Sequence, residues 1–305
     1  MSQPARLAHR KPTCCSPFKV VTLKNSLIYA YRLTIFNFVS EFRFVTPSAY
    51  REFLFGQFLY YNLFMNEKNI IGFWGYPHPE LINKYKNLYP DAIWLDLDID
   101  YNLPKQDILP ESYCSIIKNI INAAFYYKDR LLIILAPIGK DKCDSGWFAY
   151  EILKDMGFPI ISSIFEEKAY TRNVNISTST LPLRQKVELI TKGIYEPQTT
   201  VYEQCKAKFG FWGVPPNDLS ILELFPNETH LYGWTRCVEA MTPADIELEM
   251  FVEKDVPTVF YSQSFCSKAQ LAKYLADKYN GLYIDIDDTV TNSTKAKIEA
   301  FLRLR

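Results

Sequence analysis

The sequence predicts an α/β protein made of two similarly built halves, each with a parallel sheet covered by helices. Three observations carry this expectation. The tetrapeptide Gly-Phe-Trp-Gly occurs twice, at residues 72–75 and 210–213. Both copies continue in one order: apolar strand, turn with proline, helical stretch, proline, second apolar strand. Cys114 and Cys143 are 29 residues apart, as are Cys237 and Cys266, and each second cysteine precedes a helical run and a short apolar strand. Similarity that persists in order over this length marks a duplicated structural unit. Near-continuous apolar strands separated by helices mark a parallel sheet buried on both faces.

The elements follow in order. Residues 19–23 (KVVTL) are β-branched and apolar, a first strand, and a helix starts at Ser26. Residues 42–45 form a short strand, and Thr46-Pro47-Ser48 opens a helix to Met65, because Thr or Ser caps and Pro suits the first turn. Strands are expected at 69–73, 92–97, 131–136 and 159–162, with helices at 79–88, 111–127 and 147–156. Residues 163–200 break the alternation: they are polar and turn-rich, with LRQKVELI able to form a short helix or a strand. The boundary between halves is placed here. The second half repeats the pattern with strands at 208–212, 229–232, 257–261 and 282–286. Thr242-Pro243 opens a helix carrying Glu247, Glu249 and Glu253, and residues 293–304 form a closing amphipathic helix.

Composition narrows the function. The chain has 305 residues, enough for two domains of ordinary size, and its 48% hydrophobic content fills two cores. Lys and Arg number 34, as do Asp and Glu, so no global field attracts nucleic acid. The seven cysteines include no C-x-x-C pair and no metal-ligand spacing with the three histidines; they read as reduced thiols of a cytoplasmic protein. Residues 1–17 are basic and polar without the apolar core of a secretory signal, and read as a loose tail. Residues 26–65 are rich in Phe, Tyr, Leu and Ile, punctuated by Arg32, Arg43 and Arg51. They suit two core helices and a strand, or an aromatic and basic face that rests on a membrane.

Several groups can carry chemistry. A Gly turn at a strand end lets backbone N–H groups approach a phosphate, which singles out Gly75 and Gly213. His78 lies three residues beyond Gly75 and can act as a base or hydrogen-bond an acceptor. Asp96, Asp98 and Asp100 end a strand, where open α/β sheets bind ligands; strand alternation would point them to one side. Such a cluster can take a proton from a hydroxyl or hold a divalent cation. Asp285, Asp287 and Asp288 with Thr289 resemble the phosphatase nucleophile motif of haloacid dehalogenases. The segment from Asp144 to Glu151 resembles the D-x-G-x-x-x-E stretch of nucleoside deoxyribosyltransferases.

The second half carries a broader resemblance. Gly-Ile-Tyr-Glu-Pro at 193–197, the Gly-Phe-Trp-Gly turn with its helix, HLYGW at 230–234, the glutamate-rich run at 246–261 and NGLYIDIDD at 280–288 follow one another. This order is similar to the C-terminal domain of glycosyltransferases with two facing Rossmann-like domains, the GT-B architecture. The resemblance implies an acceptor domain over 18–195 and a nucleotide-sugar domain over 196–305. It implies that the Gly213 backbone meets the donor diphosphate, that Arg236 offsets its charge, and that Glu247 or Glu249 binds the ribose. Glu247 has the family's spacing from Glu239, whereas Glu249 lies at the better distance from Pro257-Thr258-Val259. The first domain would present a hydroxyl acceptor (a glycan, a lipid-linked or a small molecule) near Gly75, with His78, Asp98 or Asp100 as base. No metal or other cofactor is expected. Two other classes stay open: a non-catalytic two-lobed ligand-binding protein, and a nucleoside- or nucleotide-processing enzyme using Glu151.

Overall fold

The computed structural model describes residues 68–139, 142–164, 174–287 and 289–305, all within one compact unit. The tail at 1–17, the elements expected between 19 and 65, the aromatic and basic segment, and Asp288 lie outside the described residues.

Among the described residues there are two parallel sheets of four strands. The first comprises β1 (Ile70–Phe73), β2 (Ile93–Asp96), β3 (Leu131–Pro137) and β4 (Ile160–Ser163), in the order β2-β1-β3-β4. The second comprises β5 (Phe209–Trp212), β6 (Thr229–Tyr232), β7 (Thr258–Gln263) and β8 (Leu282–Ile286), in the order β6-β5-β7-β8. Counted from the first strand of each half, the two orders are identical. Gly72 is the third residue of β1 and Gly210 the second of β5, so the sequence repeat falls on the first strand of each half. The strands form here because their residues are apolar on both faces: β1 and β7 are buried along their whole lengths.

The glycines of the repeat are not equally constrained. A Cβ on Gly210 would lie 2.4 Å from Thr258 Oγ1 and 2.5 Å from the Tyr232 ring, whereas one on Gly72 would meet leucine methyls at 3.2 Å. Gly210 is therefore the residue over which the Tyr232 ring packs.

Helices join the strands. In the first lobe these are α1 (Pro79–Leu88), α2 (Ser115–Tyr126) and α3 (Asp144–Asp155). Then come α4 (Leu183–Gly193), α5 (Trp234–Glu239), α6 (Ile246–Met250), α7 (Lys268–Lys278) and α8 (Asn292–Leu304). LRQKVELI is thus helical. The stretch after the second Gly-Phe-Trp-Gly forms only a 3-10 helix, Leu219–Leu224. The helix expected from Thr242 is shorter than its sequence suggests. Asp245 caps it by accepting the Glu247 and Leu248 amides at 2.9 and 3.1 Å, Ala244 turns the chain at φ 62°, and Glu253 lies beyond the end.

The lobes share a core. Helix α4 packs on α5, on the 3-10 helix and on β6, all of the second lobe. Its Val187, Ile190 and the following Ile194 join one apolar cluster with Ile71 and Phe73 of the first lobe. Tyr195 stacks on Trp94 with centroids 6.0 Å apart and meets Phe73 edge-on at 5.7 Å. Helix α4 lies within residues 163–200, where composition placed the boundary, and packs on second-lobe elements. Among the described residues no helix is long and apolar enough to cross a membrane.

Candidate functional site

The carboxyl ends of both sheets open onto one cavity of about 420 Å³. In a sheet ordered 2-1-3-4 the connections leaving β1 and β3 run to opposite sides, and the crevice between the ends of these two strands is the usual ligand position. Each lobe supplies its own such crevice. Gly75, Asp98 and Pro137 come from the ends of β1, β2 and β3; Val214, Trp234 and Lys268 come from beyond β5, β6 and β7. Helix α4 closes one side through Thr191 and Lys192, with Tyr195 beyond its end. The walls are largely rings and aliphatic side chains, among them Trp74, Trp94 and Tyr101.

The acidic cluster sits in this cavity. Strand β2 ends at Asp96, so alternation stops there, and the three aspartates differ in environment. Asp96 is buried and accepts the Asp98 amide at 3.1 Å. Asp98 accepts the Gly75 amide at 2.7 Å, and its carbonyl accepts from Asn119 at 3.0 Å. Asp100 is exposed and closes a local turn by accepting the Asn102 amide at 2.8 Å. All three line the cavity. Burial raises the Asp98 pKa to about 6, against the opposing hydrogen bond from Gly75. Asp96 is raised well above the ordinary carboxylate range by burial and by the Asp98 charge. A carboxyl group that exchanges its proton near neutrality is suited to general acid–base work.

The repeated tryptophans differ. Trp212 donates its indole N–H to the Glu249 carbonyl at 2.7 Å. The Trp74 indole nitrogen is buried without a partner among the described residues. It lies beside Gly146, where an added Cβ would stand 3.7 Å away. Both Trp74 and Gly146 line the cavity.

The remaining candidates are dispersed. His78 caps α1, its Nδ1 accepting the Glu80 amide at 3.2 Å while its own amide donates to Ser163 Oγ at 2.6 Å. The Gly213 amide donates to the Tyr232 carbonyl at 3.4 Å. The Arg236 guanidinium lies over the Phe251 and Tyr232 rings, at 5.0 and 5.7 Å. Glu247 is exposed, whereas Glu249 is buried in an ion pair with Lys268. Glu239 receives the Asn175 and Ser177 amides at 2.7 and 2.9 Å, together with Ile176 N and Ser177 Oγ. Glu151 is exposed and 3.8 Å from Lys154. Asp144 is exposed at the start of α3, and Asp285 accepts from Ser264 Oγ at 2.5 Å. The structure therefore brings Gly75, Asp98 and Asp100 together at the cavity, whereas Gly213, Arg236 and Glu247 are not among the residues that line it.

Sequence reasoning missed three features of the cavity: Lys268, Tyr195, and the meeting of Cys114 with Cys266. The equal cysteine spacing singled out Cys114 and Cys266 separately, within different pairs, and did not bring them together. No pattern announced the others, because they reach the cavity only through the packing of α4 and the cap of α7. No family model matches the chain, and no curated protein matches it. What fold and site define is an α/β protein with two parallel sheets of identical order whose carboxyl ends line a common, aromatic-walled cavity carrying a buried Asp96 beside a half-buried Asp98.

Proposed function

We propose that this chain is a transferase acting on a small hydroxyl-bearing molecule in the interlobe cavity, with Asp98 as the general base. The observation that carries this reading is the placement of Asp98: it opens onto the cavity at the β1 crevice with its pKa raised to about 6. In its ionised form it can accept a hydroxyl proton, and in its protonated form it can return one. The aromatic walls suit the flat face of a sugar or a base, and the unpartnered Trp74 N–H offers a donor to a ligand oxygen.

The specific form we propose is glycosyl transfer from a nucleotide-activated donor. Two Rossmann-like lobes with facing carboxyl edges support it, as in the GT-B architecture. Within this reading the donor contacts differ from those implied by resemblance. The Gly213 amide is engaged by Tyr232 and Arg236 lies against aromatic rings, so the cations for a diphosphate come from Lys142, Lys192 and Lys268, which line the cavity. Glu249 holds Lys268 and acts through it.

A thermal-shift screen of nucleotides, nucleotide sugars, free sugars and nucleosides tests the proposal. Stabilisation by a nucleoside diphosphate and its sugar, with sugar transfer that Asp98→Asn abolishes, is the expected result. Stabilisation by free sugars or amino acids alone, without turnover, would instead identify a two-lobed binding protein. The largely apolar wall is the observation that favours this second reading.

A further inference from the structure

Two cysteines from opposite lobes meet at the cavity. Cys114 immediately precedes α2 in the first lobe, and Cys266 lies two residues before α7 in the second. Gln263, at the end of β7 and three residues before Cys266, donates its side-chain amide to Ser115 Oγ, next to Cys114, and so ties the two segments together. Cys266 packs against the apolar cluster that contains Cys114, and both line the cavity. Cys114 stands at the N-terminal end of α2, and Cys266 just before that of α7. Helix N-termini favour a negative sulfur.

The two thiols are held in unlike states. The Cys114 hydrogen bond, the Lys268 amide and the Lys268 charge bring Cys266 down to about 6, against burial and Glu249. Donation to Cys266 and burial push Cys114 above the ordinary thiol range. A thiolate beside a protonated thiol, open to a cavity, is the arrangement that thiol–disulfide exchange requires. Among the described residues no third histidine, cysteine or carboxylate completes a metal-binding group with them.

We propose that Cys266 and Cys114 form a thiol–disulfide exchange site that spans the two lobes, with low-molecular-weight disulfides as its substrates. The Cys266 thiolate attacks one sulfur of R–S–S–R, forming a mixed disulfide and releasing RS⁻. Cys114 loses its proton to that departing thiolate and attacks Cys266 Sγ, releasing a second RS⁻. The two protein sulfurs lose two electrons and become a disulfide; the substrate gains them and becomes two thiol groups. The resulting bond joins α2 to the β7–α7 turn across the cavity. This site stands independently of the transferase reading. Cys143 provides an internal comparison: it precedes α3 as Cys266 precedes α7, lines the same cavity, and is exposed.

The test uses the reduced full-length protein, incubated with oxidised glutathione, alkylated and mapped by peptide mass spectrometry. The expected product is a Cys114–Cys266 linked peptide that dithiothreitol reverses. In Cys114→Ser, the link is lost and glutathione remains on Cys266. In Cys266→Ser, neither the link nor glutathione on Cys114 appears. Glutathione on Cys143 with Cys266 still alkylated would overturn the proposal. So would a persistent mixed disulfide at Cys266 of the unsubstituted protein. Mapping of the unsubstituted protein decides the matter even where a variant does not fold.

Discussion

Gly75 donates its backbone N–H to the Asp98 carboxylate over 2.7 Å, tying the turn after β1 to the turn after β2 at the cavity wall. Replacement of Asp98 by asparagine keeps an oxygen for this bond and removes the base. If the proposed reaction holds, Asp98→Asn lowers kcat by about 10²–10⁴, the usual contribution of a positioned acid or base. The dissociation constant of the ligand found by thermal shift should change little. A loss confined to affinity, measured by titration calorimetry beside steady-state kinetics, would assign Asp98 to binding instead.

The same residue sets a pH dependence of stability. Folded, Asp98 keeps its proton up to about pH 6; unfolded, it releases it near 3.8. Between these values the folded state binds more protons, so stability falls as pH rises and levels off above about 6. Urea midpoints measured from pH 4 to 7.5 should therefore decline in the unsubstituted protein relative to Asp98→Asn. Parallel curves for the two proteins would show that the acid is not held protonated by the fold.

The repeat, the strands and the acidic loop were legible in the sequence because each rests on local pattern. Apolar runs between turn residues gave all eight described strands to within two residues at either end. Asp96, Asp98 and Asp100 were legible as a cluster because a strand empties into them. Arg236 was the phosphate partner implied by the resemblance because it lies just after the Tyr-Gly-Trp strand end, but the rings of Tyr232 and Phe251 compete for its guanidinium. The opening of α6 was misplaced because Thr242-Pro243 and Asp245 both resemble caps, and only hydrogen bonding discriminates them. Lys268 and the cysteine pair were illegible for a different reason: long-range packing brings them together.

Gly210 and Gly72 lie in matching strands and should respond unequally to alanine. At Gly210 the added methyl would collide with Thr258 Oγ1 and the buried Tyr232 ring at 2.4 and 2.5 Å. At Gly72 it would press two leucine side chains at 3.2 Å, which can yield. We expect Gly210→Ala to cost about 3 kcal/mol or more, and Gly72→Ala to cost about 1 kcal/mol. Paired denaturant titrations of the two variants measure the difference.

Glu239 fastens the segment leading into α4 by accepting the amides of Asn175, Ile176 and Ser177 and the Ser177 hydroxyl. Ile176 and Ser177 are buried, so their N–H groups have little access to water once the carboxylate is gone. Glu239→Ala should cost about 3 kcal/mol or more, because buried donors left unpaired carry their full desolvation penalty. Limited proteolysis should then cut near residues 174–179, whereas Glu239→Gln, which can still accept, should resist longer.

Lys268 and Glu249 form an ion pair in which the carboxylate is only 4% exposed while the lysine reaches the cavity. The pair comes from elements on either side of β7, so its geometry fixes the start of α7 relative to α6. Removing only the cation strands a charge that the fold has already taken out of water. Lys268→Ala should therefore destabilise the protein by about 3–5 kcal/mol, and Lys268→Ala combined with Glu249→Leu should recover much of that loss. If the single variant unfolds at the same urea concentration as the parent, the carboxylate has found water or another partner. In that case Glu249 does not hold Lys268 against the cavity, and the proposed diphosphate contact loses its support.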